Sequence, residues 1–161
     1  MTDKQYQLIE RREDYHHALL QLLELARQRV EIFDPDLNYG GWDSAAVADL
    51  LQTFLARSAR NELWLIVHDS HALKTRFPRL TSLVRTRNHQ IRLAVTTPEA
   101  KHLRDSFVLV DNLHSLRRFH SDHDRAALEL NAPETASILQ QRFAELRIAS
   151  AEDSVNKPLG L

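Results

Sequence analysis

Residues 62–69 read ELWLIVHD, and this stretch decides the fold class. Five consecutive apolar residues, 63–67, are followed directly by the polar pair His68 and Asp69. An unbroken apolar run of this length is typical of a β-strand that is covered on both faces. The sequence therefore predicts a central strand in a sheet with helices packed against each side.

The segments around this strand alternate between helical and strand patterns. Before it, the patterns predict a helix over residues 14–28, a strand over 29–35 and a helix over 46–55 that Asp43 or Ser44 caps. After it, they predict a helix over 71–87 that restarts at Pro78, a strand over 89–97 and three close strands over 106–111, 114–120 and 125–131. The last segment is a helix with a capping signal at Asn131, in which Ile138 and Ile148 face inward.

This order predicts an α/β fold with a mixed, mostly parallel sheet flanked by helices. The three close strands before the last helix are expected to be antiparallel to one another. We assign residues 1–150 to a single domain and residues 151–161, which read AEDSVNKPLGL, to a flexible C-terminal tail.

The composition narrows the class of protein. The 161 residues are 43% hydrophobic and 27% charged, with a net charge of −1, which is ordinary for a globular domain. The absence of cysteine excludes disulfides and zinc–thiolate sites, and no apolar run has the length of a membrane span. We therefore expect a cytoplasmic protein without a membrane span.

Polar side chains follow the predicted strands at their carboxyl ends, where α/β sheets usually bind ligands. The candidates are Asp34, Asp36, Tyr39, His68, Asp69, Thr96 and Asp111. His68 beside Asp69 has the composition of an acid–base pair. An Asx turn at Asp34 and a packed histidine oriented by a turn aspartate are the structural alternatives. In either case we expect these side chains to share one end of the sheet.

Basic residues are concentrated in the middle of the chain. No acidic residue lies between Asp69 and Glu99, whereas six basic ones do, among them Arg79. Both an anion-attracting face and a solvated helix surface are consistent with this pattern. Further along, Arg117 and Arg118 are neighbours in a predicted strand, so they are expected to point to opposite faces.

Histidine and aspartate cluster in residues 114–124, HSLRRFHSDHD. This cluster is a weak metal-site pattern, and a solvated hairpin turn is the alternative that we favour. Gly-rich dinucleotide or phosphate loops, a Gly-x-Ser-x-Gly elbow and a His-Glu-x-x-His pair are all absent from the sequence. We therefore expect neither a cofactor nor a metal.

The whole pattern resembles one half of a phospholipase D-like domain over roughly residues 14–150. The resemblance rests on RVEIFDPDLNY (29–39), SAAVADLLQTFLARSARN (44–61), ELWLIVHD (62–69), FVLVDN (107–112) and ELNAPETASILQQRFAELRIAS (129–150). Within that superfamily it is similar to an uncharacterised bacterial group with a Pro-Asp-Leu-x-Tyr loop and an Arg-Leu pair, here Arg79–Leu80. Members of that group are sometimes attached to acetyltransferase domains.

The superfamily uses the motif His-x-Lys-x4-Asp, whose histidine attacks a phosphodiester while the lysine binds the phosphate. When Asp111 is aligned with the motif's aspartate, Arg104 and Ser106 stand at the histidine and lysine positions. When His102 is aligned with the histidine instead, Leu109 takes the place of the carboxylate. The resemblance therefore implies that the standard covalent mechanism is lost.

Two functions follow from this resemblance. The first is a non-catalytic domain that binds a phosphate-containing or other anionic ligand, or a protein partner, through Asp34, Asp36, Tyr39, His68, Arg79, Arg104, Asp111 and Arg117. The alternative is a divergent phosphoester hydrolase that uses His68 or His102, with Asp69 or Asp36 as a partner. The resemblance also implies a homodimer and an association with an acetyltransferase domain. Nucleic acid is a weaker candidate ligand, because the net charge is near zero and aromatic residues do not interleave with the basic ones.

Overall fold

The computed structural model describes residues 3–153. These residues form eight strands, which we number in chain order: β1 (Gln5–Ile9), β2 (Arg29–Phe33), β3 (Glu62–Val67), β4 (Ile91–Thr96), β5 (Ser106–Val110), β6 (His114–Arg118), β7 (Ala126–Leu130) and β8 (Ser150–Asp153). They also form five α-helices: α1 (Arg12–Glu24), α2 (Ala45–Arg57), α3 (His71–Arg76), α4 (Pro78–Thr86) and α5 (Pro133–Ile148).

All eight strands belong to one sheet in the order β1-β7-β6-β5-β2-β3-β4-β8. The mixed sheet and the α/β class are as predicted, but parallel pairing is confined to β2, β3 and β4. The other pairs are antiparallel, so the expectation of a mostly parallel sheet needs correction. The physical reason is that the short turns between β5, β6 and β7 allow only antiparallel neighbours.

Helices cover both faces of the sheet. One apolar cluster joins α1, α2, α3 and α4 to one face, and a second joins α5 to the other. The central strand β3 contributes to both clusters, with Leu63, Leu65 and Val67 in the first and Trp64 and Ile66 in the second. This alternation explains the unbroken apolar run, because every side chain of β3 from residue 63 onward is buried.

Two of the predicted features of the helices are confirmed and two are wrong. Ser44 caps α2 by accepting a hydrogen bond from the Val47 amide at 3.2 Å, and a new helix starts at Pro78. The predicted cap at Asn131 is wrong, because α5 follows Ala132 with no side-chain cap. The inward orientation of Ile138 and Ile148 is also wrong, since these side chains are 67% and 87% exposed.

Two outer strands were not anticipated. The strand β1 pairs with β7 at one side of the sheet, and β8 pairs with β4 at the other. The start of the predicted flexible tail therefore lies within β8, since residues 151–153 continue the pairing with β4, while residues 154–161 lie outside the described residues. Within residues 3–153, no helix has both the length and the apolar character needed to cross a membrane.

Candidate functional site

The direction of β5 determines which predicted residues lie together. The strand β5 runs antiparallel to β2, with Phe107 beside Phe33 and Val110 beside Val30. The end of the sheet where β2, β3 and β4 finish, which we call the carboxyl end, is therefore the end where β5 begins. Arg104, which precedes β5, belongs to the carboxyl end, and Asp111, which follows β5, belongs to the opposite end.

Asp111 is consequently separated from the other candidates. Its carboxylate accepts hydrogen bonds from the backbone amides of Arg27, Gln28 and Arg29 at 2.9, 2.8 and 2.8 Å. Its backbone adopts a left-handed conformation with φ of 54°. The expectation that Asp111 lies with the other carboxylates is wrong, because the sequence did not reveal that β5 is reversed. Asp111 instead holds the start of β2 against the turn after β5.

A buried polar group lies beneath the carboxyl end. Asp34 is only 6% exposed, and its Oδ1 accepts hydrogen bonds from the amides of Asp36 and Leu37 at 3.2 and 2.9 Å. Burial raises the pKa of Asp34 to about 6, against the opposing effect of these two amides. Tyr15 of α1 is fully buried, near both Asp34 and Ser106 at the start of β5. Burial, followed by the nearby Asp34 carboxylate, raises the pKa of the Tyr15 phenol.

Tyr39 connects the loop after β2 to the loop between β6 and β7. Its hydroxyl donates to Asp124 at 2.9 Å, and the guanidinium of Arg118 stacks on its ring. Arg12 of α1 approaches the same ring and donates to the carbonyls of Asn38 and Tyr39. Partial burial, reinforced by the hydrogen bond to Asp124, raises the pKa of Tyr39 to about 12. Tyr39 is therefore a neutral hydrogen-bond donor within a fixed set of contacts.

Both ring nitrogens of His68 are engaged. The ring Nε2 lies 2.8 Å from the Leu103 carbonyl oxygen, and Nδ1 lies 2.7 Å from the Thr96 hydroxyl. A carbonyl oxygen only accepts, so Nε2 carries the proton and Nδ1 accepts from Thr96. Partial burial lowers the pKa of His68, and the positive charges of Lys101 and Arg104 act in the same direction. His68 is thus a neutral imidazole that ties β3 to β4 and to the segment before β5.

Arg104 is exposed at the carboxyl end of the sheet. Its guanidinium donates to the carbonyls of Lys101 and Leu103 over 3.2 and 3.3 Å, which are long hydrogen bonds. Its own carbonyl accepts from the Ser121 amide at 2.7 Å, which brings the loop between β6 and β7 alongside. Among residues 3–153, no carboxylate pairs with Arg104, so its charge and most of its donors face solvent.

Arg117 and Arg118 point to opposite faces of the sheet, as predicted from their adjacency. Arg118 faces the α1 side, where Tyr39 lies, and Arg117 faces the α5 side, where it is 3.6 Å from Asp105. Arg142 of α5 binds the same carboxylate at 2.6 Å. Two guanidinium groups therefore share one buried carboxylate, and the Nε atoms of Arg117 and Arg142 are buried without a hydrogen-bond partner among the described residues. This cluster has an excess of positive charge.

The remaining predicted site residues have local structural contacts. Asp36 and Asp69 are exposed and accept from the amides of Asn38 and His71 at 3.0 and 2.8 Å, as in Asx-type turns. Arg79 of α4 donates to the carbonyl of Asp43 at 3.0 Å. His102 is exposed, in the segment between β4 and β5. The hydrogen bond to Asp43 places Arg79 beside the start of α2.

The histidine-rich segment 114–124 forms the whole of β6 and the turn that follows it. His114 accepts from the Asn131 amide at 3.0 Å, and His120 lies 3.7 Å from Asp122. Within the described part of the chain, no group of three or more histidine, aspartate or glutamate side chains is placed to hold a metal ion.

Four residues of this region were not among the predicted site residues: Tyr15, Ser106, Arg118 and Arg142. Ser106 had a sequence signal, because it stands at the motif's lysine position. Tyr15 and Arg142 had none, since each lies in a helix distant in sequence from the strands that it meets.

Comparison with solved structures places this geometry in a known fold. Nuc from Salmonella typhimurium, a phospholipase D family member, matches with a TM-score of 0.66 at 12% identity, over 94% of this chain and 99% of that one. NucT from Helicobacter pylori matches with a TM-score of 0.64 at 11% identity, over 94% of this chain and 100% of that one. TrmBL2, an archaeal chromatin protein, matches with a TM-score of 0.69 at 6% identity, over 92% of this chain and 54% of that one.

These likenesses confirm the phospholipase D-like fold that the sequence pattern predicted. No protein with a curated description matches the sequence. A family model described as a domain of unknown function, DUF7931, matches residues 11–157, which is most of the chain. The protein is therefore a member of the DUF7931 family and has a phospholipase D-like fold.

Proposed function

We propose that this domain is a non-catalytic, anion-binding member of the phospholipase D-like fold. Its ligand carries a phosphate or a similar anionic group, which Arg104 binds at the carboxyl end of the sheet. The observation that carries the proposal is the state of Arg104. It is exposed and cationic, it stands at the position of the motif's histidine, and the only hydrogen-bond partners of its guanidinium among residues 3–153 are two carbonyl oxygens.

The residues at the motif positions support binding rather than chemistry. An arginine stays protonated at any physiological pH, so Arg104 is not a nucleophile or a general base. Ser106 stands at the lysine position, is 6% exposed and carries neither a positive charge nor a base. His68 lies close enough to Arg104 for the two to interact electrostatically, and a role in proton transfer would require His68 to break a hydrogen bond to Leu103 or Thr96. The alternative of a phosphoester hydrolase has less support for these reasons.

The exposed carboxylates of Asp36 and Asp69 also lie at the carboxyl end, where each accepts a hydrogen bond from a backbone amide. The carboxylate of Asp34 is turned inward to backbone amides, and that of Asp124 accepts from Tyr39. On the α5 side, Arg117 and Arg142 exceed the charge of Asp105. A planar guanidinium matches the geometry of phosphate and carboxylate oxygens, which suits Arg104 to either group.

Nucleic acid is one source of such a phosphate. The matching structure of TrmBL2 is described as showing a novel mode of DNA binding, which justifies including oligonucleotides among the ligands tested. The net charge of −1 argues against a broad electrostatic footprint on a polyanion. We therefore place a small phosphate ester or a terminal phosphate ahead of duplex DNA.

The test is titration calorimetry with inorganic phosphate, a mononucleotide and a short oligonucleotide at about 0.01 M ionic strength, where charges are weakly screened. The wild-type chain is compared with Arg104→Ala and with Arg85→Ala. Arg85 is a matched control, because it is also an exposed arginine but lies in the last turn of α4, which leads into the opposite end of the sheet.

We expect Arg104→Ala to weaken binding by about 10-fold or more and Arg85→Ala to leave it unchanged, since a hydrogen bond to a charged group contributes most when it has no competing partner. Lack of binding to all three ligands by the wild-type chain would refute the proposal. An equal loss in both variants would show that the binding is non-specific charge attraction.

A further inference from the structure

The strand β1 forms an open outer side of the sheet. Within residues 3–153 it pairs with β7 on one side only, and four of its five residues, Gln5, Tyr6, Gln7 and Leu8, are exposed. An outer strand presents unpaired backbone N–H and C=O groups, and proteins usually protect it with charge, proline or a bulge. The opposite outer strand, β8, carries Glu152 and Asp153. By contrast, β1 has the sequence QYQLI, without charge, proline or glycine.

The sequence around β1 is complementary to itself. When two copies are aligned antiparallel about Gln7, each residue lies opposite the residue of the other copy that is equally far from Gln7 in the other direction. The resulting pairs are Lys4 with Glu10, Gln5 with Ile9, Tyr6 with Leu8 and Gln7 with Gln7. This register joins opposite charges at both ends and an aromatic with an aliphatic side chain between them, and both kinds of cross-strand pair stabilise antiparallel strands.

We propose that a second copy of this chain docks on β1, with the two β1 strands antiparallel and centred on Gln7. The sheets of the two copies then form one continuous sheet. Gln7 lies on the twofold axis, opposite its own copy, and the contact is isologous, as in most homodimers.

The side chains on one face of β1 fit this arrangement. Tyr6 and Leu8 are 61% and 40% exposed, which is unusual for large apolar groups. They lie across from Glu129 and Ala127 of β7, on the side of the sheet that carries α5. Strand pairing sets Tyr6 of each copy beside Leu8 of the other and removes both from water. The second copy therefore covers both the exposed side chains of Tyr6 and Leu8 and the unpaired backbone groups of β1.

Ile138 extends this surface. Thr135 of α5 donates to Glu129 at 3.1 Å, which places the start of α5 over β7, and Ile138 lies one turn further along the helix. It is 67% exposed. Ile138 is thus a further apolar side chain on the same side of the sheet as Tyr6 and Leu8. The second copy can bury it in addition to the two strands.

This dimer is independent of the proposed anion site. The two copies run antiparallel, so their carboxyl ends lie at opposite ends of the joined sheet. Arg104 of one copy is then remote from Arg104 of the other, and neither completes the other's site. Dimer formation and anion binding can therefore be tested separately.

The first test uses a single introduced cysteine, because the chain has none of its own. In the proposed register, the Cα atoms of residue 7 and its copy are roughly 4.5–5.5 Å apart, which is within reach of a disulfide. The matched control is Gln5→Cys, since Gln5 has the same side chain, lies in the same strand and points to the same face. Residue 5 and its copy are separated by four residues, or about 13 Å, along the strands.

We expect Gln7→Cys to form a covalent dimer under mild oxidation at high protein concentration and Gln5→Cys to remain monomeric on a non-reducing gel. Equal cross-linking of both variants would overturn the register. Failure of Gln7→Cys to cross-link, while the wild-type chain is dimeric by light scattering, would place the dimer contact elsewhere. A wild-type chain that is monomeric at every concentration would overturn the proposal.

The second test exchanges the charges at the ends of the strand. Lys4→Glu and Glu10→Lys each set like charges opposite one another twice in the dimer, and each should weaken dimerisation by roughly 3- to 10-fold. The double variant Lys4→Glu with Glu10→Lys restores the pairing in reversed polarity, so its dissociation constant should return close to that of the wild type. Additive weakening in the double variant, measured by sedimentation, would refute the pairing of these two residues.

Discussion

The guanidinium carbon of Arg118 lies 3.6 Å from the centre of the Tyr39 ring. The same guanidinium donates to the carbonyls of Ser121 and His123 at 2.6 and 2.9 Å, and the Tyr39 hydroxyl donates to Asp124. A single stacked pair therefore fastens the loop after β2 to the loop between β6 and β7.

Replacement of Arg118 is expected to loosen both loops. Arg118→Ala removes the stacking and two hydrogen bonds, and we expect a loss of about 1–3 kcal/mol in the free energy of unfolding. Arg118→Lys keeps the charge but not the planar group, so its loss should be intermediate. Urea denaturation measures both, with Arg85→Ala as the control, for which we expect a change within about 0.5 kcal/mol. An equal effect of Arg118→Ala and Arg85→Ala would contradict this role.

Asp111 is expected to contribute to stability and not to ligand binding. Asp111→Ala leaves the amides of Arg27, Gln28 and Arg29 without their acceptor, and it places alanine at a φ of 54°. We expect a loss of about 2–4 kcal/mol, with a smaller loss in Asp111→Asn, because asparagine keeps an acceptor and tolerates this backbone conformation. Chemical denaturation gives the stability, and calorimetry with phosphate should give an unchanged affinity for Asp111→Asn. A selective loss of binding in a stable Asp111→Asn would return this residue to the site.

The stability of the fold is expected to depend on pH through Asp34. Its carboxyl has a pKa of about 6 in the folded protein, above its ordinary value of 3.8, so the folded state binds the proton more tightly. This contribution is fully present below the unfolded pKa and is lost as the pH rises through about 6. It amounts to up to about 3 kcal/mol.

Asp34→Asn replaces the titrating carboxyl with a neutral amide. Its oxygen can still accept hydrogen bonds from the Asp36 and Leu37 amides. We expect the variant to match the wild type near pH 4 and to be more stable than it at pH 7. Denaturation at both pH values measures the difference, in which other titrating groups, including His68, cancel. A stability difference that does not change with pH would rule out this assignment.

His68 and His102 are expected to behave in opposite ways on substitution. His68→Ala leaves the Thr96 hydroxyl and the Leu103 carbonyl without a partner, so we expect a loss of about 1–3 kcal/mol. His102 is exposed, and His102→Ala should change stability by less than about 0.5 kcal/mol.

A panel of phosphodiester and phosphomonoester substrates, with and without divalent metal, completes this comparison. We expect no turnover by the wild-type chain. A measurable rate that falls in a well-folded His68→Ala or His102→Ala would favour the hydrolase alternative over anion binding.

Most of the fold could be predicted from the sequence, because the central strands have long apolar runs that are typical of buried strands. The run at 63–67 predicted a strand covered on both sides, and Ser44 and Pro78 marked true helix starts. The strand β1 escaped prediction because an outer strand alternates between solvent and a weakly covered face, so its five residues show no apolar pattern. Ile138 and Ile148 were misplaced because helical spacing alone does not reveal how wide a face the sheet covers.

The candidate site was harder to predict from the sequence, because the direction of each strand decides which residues lie at the same end of the sheet. Asp34 and His68 follow directly after β2 and β3, and Arg104 lies at the same end of the sheet because β5 begins there. Asp111 was misplaced because an Asp after an apolar strand has the same pattern whether that strand is parallel or reversed. Only the register of β5 against β2 resolves the difference.

The proximity of Tyr15 and Ser106 has a consequence for any attempt to engineer the superfamily motif into this chain. Such a design requires Arg104→His and Ser106→Lys together. Position 104 is exposed and open to change, but Ser106 is 6% exposed and lies near a fully buried tyrosine. A lysine at position 106 is larger than serine and brings a charge to a buried position. We therefore expect the designed chain to be less stable than the wild type unless the neighbouring side chain of α1 is redesigned with it.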